Sequence, residues 1–297
     1  MTLLRRLQSI LQHDWPVVLS ALLLLLTSLL PTIELPGRAY HFQIGFDISQ
    51  SMNVKDGVVD GQSATRLEQA KVAARELVES LPCGSTVGWS VFAGRRSLTL
   101  ITPIEVCTHY AALLNALKNI SGTMRWKNGS SIGKGVFQLM RYTHEFNEGH
   151  SSIILMTDGQ EAPPLERGQR GMPKSGELNL SGFLVGVGGD TPQPIPKTDS
   201  EGNPAGYWRA QDVIQRPDNS SSYGEELSRR DDQRLSDIAR FVRLHYLPLR
   251  SDHGYIKQLM TEQYGHSQPI HRDIRPYAAG LILLLLLWRF RPYLARR

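Results

Sequence analysis

Three oxygen-bearing side chains stand two residues apart at Asp47, Ser49 and Ser51, directly after the apolar run His41 to Phe46. That run reads as a buried strand of a parallel sheet. A carboxylate and two hydroxyls at the end of a buried strand need partners once they leave water. A polar turn leading into a helix would supply some of them. A divalent cation of magnesium size would supply them all, because it takes hard oxygen donors in near-octahedral geometry and keeps some waters. Two further polar turns offer the same chemistry. Asn128-Gly-Ser130-Ser131-Ile132 opens a helix, and Thr157-Asp158-Gly159 follows the apolar run Ser151 to Met156. None of the three turns brings a histidine or a cysteine, so the donor set is oxygen alone.

The elements that must position these residues alternate between strands and helices. Thr65-Arg-Leu-Glu68 is a capping box that starts a helix over residues 66–80. Strands are expected at 86–92, 97–101, 181–187 and 245–249, and helices at 111–120, 132–146, 225–243 and 255–264. The two strands joined at Gly94-Arg95-Arg96 form an antiparallel hairpin at the sheet edge. The charges of Arg229-Arg230-Asp231-Asp232 read as a solvated face. The fold class is therefore α/β, a doubly wound and mostly parallel sheet. In such sheets ligands sit outside the carboxyl ends of the strands. Asp47, Ser49, Ser51, Ser130 or Ser131, and Asp158 all fall in loops at that end. The segment 191–222 is rich in Pro and Gly and too long for a plain loop, which marks it as a functional surface or a mobile one.

Only two cysteines occur, Cys83 and Cys107. Their spacing fits no zinc pattern. The hairpin rises from one and returns toward the other, at the sheet end opposite Asp47, so a Cys83–Cys107 disulfide is expected.

The chain has 297 residues, 21% charged and 41% hydrophobic, with a net charge of +5. That length allows one large domain with appendages. The positive residues are not gathered on one periodic segment, which argues against nucleic acid. Many flank two apolar runs near the termini, where they read as topology signals. The organisation expected is a cytoplasmic N-terminus over 1–14, a transmembrane anchor over 15–35, and an exported domain over 36–250. A connecting helix or linker over 251–275, a C-terminal transmembrane helix over 276–294 and a cytoplasmic tail over 295–297 complete it. In a bacterium this places the domain in the periplasm, on the inner membrane, with both termini inside. A disulfide suits that compartment.

With those residues placed, the sequence resembles the von Willebrand factor A (VWA) domain and its metal-ion-dependent adhesion site. Asp47, Ser49 and Ser51 match the family's D-x-S-x-S, Asp158 matches its third-loop aspartate, and Ser130 stands where threonine is usual. The resemblance implies a divalent cation, Mg²⁺ first and Ca²⁺ or Mn²⁺ as alternatives, whose open position takes an acidic side chain of a protein partner. More narrowly, Leu81-Pro-Cys-Gly-Ser85, Glu105-Val-Cys107, Met124-Arg-Trp126 and Asp158-Gly-Gln-Glu-Ala-Pro163 resemble the MxaL-type accessory proteins of methanol dehydrogenase. That implies maturation of a periplasmic quinoprotein, by assembly or calcium insertion, with methanol dehydrogenase, its assembly factors or other membrane accessory proteins as partners. The alternative is an aerotolerance-type (Bat) membrane protein in envelope protein quality control. A Mg²⁺-dependent hydrolase is the remaining class. An aspartyl phosphotransfer enzyme wants a second carboxylate two residues on, where this chain has Ser49. The chain also lacks a Gly-x-Ser-x-Gly elbow, a P-loop and a His-Glu-x-x-His helix. A non-enzyme is expected.

Overall fold

The structure is a computed structural model and describes residues 15–29, 33–147, 151–165, 180–199, 201–216, 224–250, 254–272 and 274–294. The chain divides into two compact units. One comprises Arg38–Ser267, the other Met1–Gly37 with Gln268–Arg297.

The larger unit is built on one mixed sheet. Its strands are β1 (Ile33–Asp47), β2 (Thr86–Ala93), β3 (Arg96–Glu105), β4 (Ser152–Thr157), β5 (Gly182–Gly186) and β6 (His245–Pro248), in the order β6-β5-β4-β1-β2-β3. A seventh strand, β7 (Gly265–Arg272), pairs with β1. Every neighbouring pair from β6 to β2 is parallel, and β3 returns antiparallel along β2. β1 lies between β2 and β4, so its carboxyl end emerges at the middle of the sheet.

Strands this apolar on both faces still sort their side chains by the period of two. Phe42, Ile44 and Phe46 of β1, with Ile154 and Met156 of β4, face one core layer. That layer is completed by helices α2 (Arg66–Ser80) and α3 (Tyr110–Asn119). Ile153 and Leu155 of β4, with Phe92 of β2, face the second layer. Helices α4 (Ile132–Asn147) and α5 (Asp232–Val242) cover that face. Gly135 of α4 marks how close that packing is, because a Cβ there would lie 2.2 Å from the Phe92 ring.

The capping box forms as expected: Thr65 accepts from the Glu68 amide at 3.1 Å, and Glu68 accepts from the Thr65 amide at 2.9 Å. Cys83 and Cys107 are joined, with Cα atoms 5.3 Å apart, at the foot of the β2–β3 hairpin.

Several expectations need correction. The helix expected over 225–243 begins only at Asp232, after Asp231 caps it by accepting from the Arg234 amide at 3.0 Å. Residues Leu227–Ser228 pair instead with Gln193–Pro194. Nor is the 229–232 charge cluster merely solvated, since Arg230 donates to the Gly188 carbonyl at 2.7 Å and pairs with Asp232. The stretch expected to be a connecting helix or linker contains a short helix α6 (Gly254–Leu259) and then β7.

The smaller unit holds helices α1 (Trp15–Leu29) and α7 (Arg275–Leu294), which pack against each other. The Trp15 and Trp288 rings lie 5.8 Å apart, so the helices run antiparallel. No helix among the described residues is long and apolar enough to cross a membrane, so the two transmembrane helices expected over 15–35 and 276–294 are not shown. The 15 residues of α1 extend about 22 Å, short of a ~30 Å hydrocarbon core. α7 has 20 residues, but Arg275, Arg289 and Arg291 lie within it. The expected terminal segments 1–14 and 295–297 lie outside the described residues.

Candidate metal centre

The three polar turns meet at the carboxyl ends of β1 and β4. Asp47 is the last residue of β1 and Thr157 the last of β4, two strands in parallel register. Thr157 donates its hydroxyl to Asp47 Oδ2 at 2.6 Å, and the Ser49 amide donates to Asp47 Oδ1 at 2.9 Å. The Ser49 and Ser51 hydroxyls stand 3.1 Å apart. The Gln50 side chain donates to Asn128 Oδ1 at 3.1 Å, tying the first turn to the second. Ser130 donates its hydroxyl to the Gln160 carbonyl, and its own carbonyl accepts from Ala162 at 2.9 Å, tying the second turn to the third. Ser130, buried, is the serine that faces the third turn. The amides of Lys134 and Gly135 donate to the backbone carbonyl of Ser131, which thereby starts α4.

Asp47, Ser49, Ser51, Ser130 and Asp158 are all buried, and both carboxylates have no exposed surface. Burial first, and then the charge of Asp158, push the Asp47 carboxyl up to about 7 against the lowering effect of the Ser49 and Thr157 hydrogen bonds. The two acids are therefore close enough to repel.

Asp158 has partners that Asp47 lacks. Arg66, the first residue of α2, donates to Asp158 Oδ2 at 2.7 Å and to the Ser228 hydroxyl at 2.6 Å, while Ser228 also donates to that Asp158 oxygen at 3.0 Å. The other side of the guanidinium pairs with Asp56, at 2.8 and 2.6 Å. Arg66 is itself fully buried. Gly188 makes room for it, since a Cβ there would lie 2.4 Å from Arg66 Nε, and its φ of +97° suits glycine.

The donor chemistry fits a hard divalent cation: oxygen atoms only, from two buried carboxylates and from hydroxyls that keep lone pairs after donating. Arg66, Asp56, Thr157 and Ser228 were not picked out as site residues by sequence reasoning. Thr157 adjoins Asp158 and could have been. The rest have no motif; Arg66 reads only as a helix-opening residue. Among the described residues an acid–sulfur group elsewhere, Cys83, Glu105 and Cys107, comes within ligating distance, but its sulfurs are bonded to each other.

Residues 46–160 match the family described as the von Willebrand factor type A domain. No curated protein matches the chain. Among solved structures, the fold is similar to an aerotolerance-related membrane protein from Bacteroides fragilis carrying multiple mutations to serine. That likeness has 21% identity and a TM-score of 0.50, over 76% of this chain and 98% of the other. It is also similar to the conserved hypothetical protein BatB from Bacteroides thetaiotaomicron, at 24% identity and a TM-score of 0.53, over 74% of this chain and 95% of the other.

Proposed function

We propose, on the premise that the sheet and its three turns are a von Willebrand factor type A domain, that this chain docks a protein partner through a divalent cation. Asp47, Ser49, Ser51, Ser130 and Asp158 would hold the cation directly or through water, with Mg²⁺ as the first candidate. When bound, the ion supplies a positive centre that a partner's carboxylate can ligate. The chain's own residues do the positioning. Thr157 and the Ser49 amide hold both oxygens of Asp47, while Arg66 and Ser228 hold one oxygen of Asp158. The observation that carries this reading is the pair of fully buried carboxylates with Asp47 pushed up to about 7. A buried cation relieves that repulsion. The reading assigns no catalysis, because Ser49 stands where an aspartyl phosphotransfer enzyme wants its second carboxylate.

We place the domain outside the cytoplasm, anchored by α1 and α7. The exposed leucines of this helix pair, among them Leu22, Leu25, Leu283 and Leu284, suit a lipid environment. The disulfide suits an oxidising compartment. Between the two settings considered, the aerotolerance-type (Bat) one is nearer to the solved neighbours, described as aerotolerance-related and as BatB, than quinoprotein maturation, for which the comparisons offer no support.

The test is capture of partners by the full chain in detergent, with Mg²⁺ and with EDTA, alongside Asp47→Ala. Partners retained with Mg²⁺, and lost with EDTA and in the variant, support the proposal. Capture that is unchanged by EDTA ends it.

A further inference from the structure

The recess above the cluster has walls that the docking chemistry alone does not require. The hydroxyl-bearing Ser49, Ser51 and Ser130 line its floor, whereas Asp47 and Asp158 lie beneath without lining it. Around this floor stand Pro163 and Pro164 from the turn after β4, and Ile195, Trp208, Val213 and Ile214 from the insertion between β5 and α5. The insertion is tied to the ligand-bearing turn. Trp208 Nε1 donates to Gln50 Oε1 at 2.5 Å, the Trp208 amide donates to the Ile195 carbonyl at 3.1 Å, and Gln50 donates to the Thr198 carbonyl at 3.2 Å. Gln50 stands between Ser49 and Ser51, so the apolar wall keeps a set position relative to the hydroxyls. Ile214, on that wall, is 68% exposed.

We infer that this recess selects a partner segment in which the docking Asp or Glu has a large aliphatic side chain beside it. The inference rests on the docking reading above and names the chemistry of its partner. The size of the recess, about 230 Å³, is below the ~300 Å³ at which small-molecule pockets begin and suits one or two side chains. Two acidic residues also line it, Asp212 and Glu225, the latter paired with Arg216 at 2.7 Å. They disfavour a polyanion and leave one carboxylate, at the floor, as the tolerated negative group. Lys197, whose ammonium lies 4.7 Å from the centre of the Trp208 ring, adds positive charge beside the wall. A carboxylate alone would leave Ile214 in water. An adjacent leucine-sized side chain covers it, and burying such a side chain raises affinity about tenfold or more.

Fluorescein-labelled Gly-Leu-Asp-Leu-Gly, Gly-Ser-Asp-Ser-Gly and Gly-Leu-Asn-Leu-Gly test this against the full chain in detergent with Mg²⁺, read by polarisation. The Leu-Asp-Leu peptide should bind at least tenfold tighter than Ser-Asp-Ser. Ile214→Ser should erase that advantage while leaving Ser-Asp-Ser binding unchanged. Equal affinity for the two aspartate peptides overturns the inference and leaves cation-dependent docking standing. Binding of the asparagine peptide as tight as its aspartate counterpart, or binding that survives EDTA, overturns the docking reading itself. Failure of all three peptides to bind at millimolar concentration overturns the inference, and partner capture with and without EDTA then judges docking separately.

Discussion

Replacing Asp47 by asparagine should stabilise the domain when no divalent cation is present. Asp47 has no exposed surface and its carboxyl is pushed from 3.8 up to about 7 by burial and by Asp158. A folded-state value above the unfolded one means that the folded chain binds the extra proton. Stability is then lost as pH rises from about 4 to about 7, and the full penalty is present above that. The shift corresponds to a penalty on the order of 4 kcal/mol at most, since each unit is about 1.4 kcal/mol. Asparagine keeps the shape. Its carbonyl can accept from the Ser49 amide, and its amide can donate to the Thr157 hydroxyl, which has acceptor capacity to offer. The assay is urea unfolding of the full chain in detergent, followed by tryptophan fluorescence, because Trp89 is fully buried. In EDTA at pH 8 the variant should be more stable by about 2–4 kcal/mol. At pH 4.5 the gap should close to about 1 kcal/mol or less, with the other titrating groups cancelling between the two proteins. Mg²⁺ at a hundredfold over its dissociation constant should raise the native chain by about 2.7 kcal/mol and leave the variant where it was. The reasoning fails if the variant is the less stable protein in EDTA at pH 8. It fails equally if Mg²⁺ stabilises both alike.

Three other outcomes follow from the same geometry. Arg66→Met strands Asp56 and the fully buried Asp158, and should lower stability by about 3–5 kcal/mol in EDTA, with part of the loss recovered by Mg²⁺; a loss under about 1 kcal/mol in urea unfolding would contradict the buried pairing. Gly188→Ala should cost about 2 kcal/mol or more, since strain at φ +97° adds to displacement of Arg66. Gly206→Ala, at φ +84° with open space around it, should cost only about 1 kcal/mol, and equal losses by thermal melting would refute the steric part. Replacing both Cys83 and Cys107 by serine opens a loop of sequence separation 24 and should lower stability by about 3 kcal/mol, checked by unfolding beside mass mapping of the native bond.

The layered α/β fold was legible because its signals are local. Alternating apolar runs and a capping box at Thr65 and Glu68 place α2, β2, α4 and β4 within a residue or two of where they stand. The carboxyl end of β1 is placed likewise, although β1 begins at Ile33, eight residues before the expected His41. The disulfide was legible from the direction of the hairpin. The candidate ligands were legible as oxygen donors at strand ends. The helix expected from Glu225 was not, because the pairing of Leu227–Ser228 with Gln193–Pro194 is a contact between distant segments and overrides helical periodicity before Asp232. The two apolar runs look like spans when counted as hydrophobicity, yet α1 falls short in length and α7 in apolar continuity.

Asp47, Ser49, Ser51, Ser130 and Asp158 could be named from residue type and from the rule that strand ends gather ligands, which is information a linear pattern carries. What surrounds them could not. Arg66 is separated from Asp158 by 92 positions, and Trp208 from Gln50 by 158. Which guanidinium balances which buried carboxylate, and which apolar wall stands over the hydroxyls, are set by how the loops pack. Burial and charge act through space, and only the folded chain decides which residues share it.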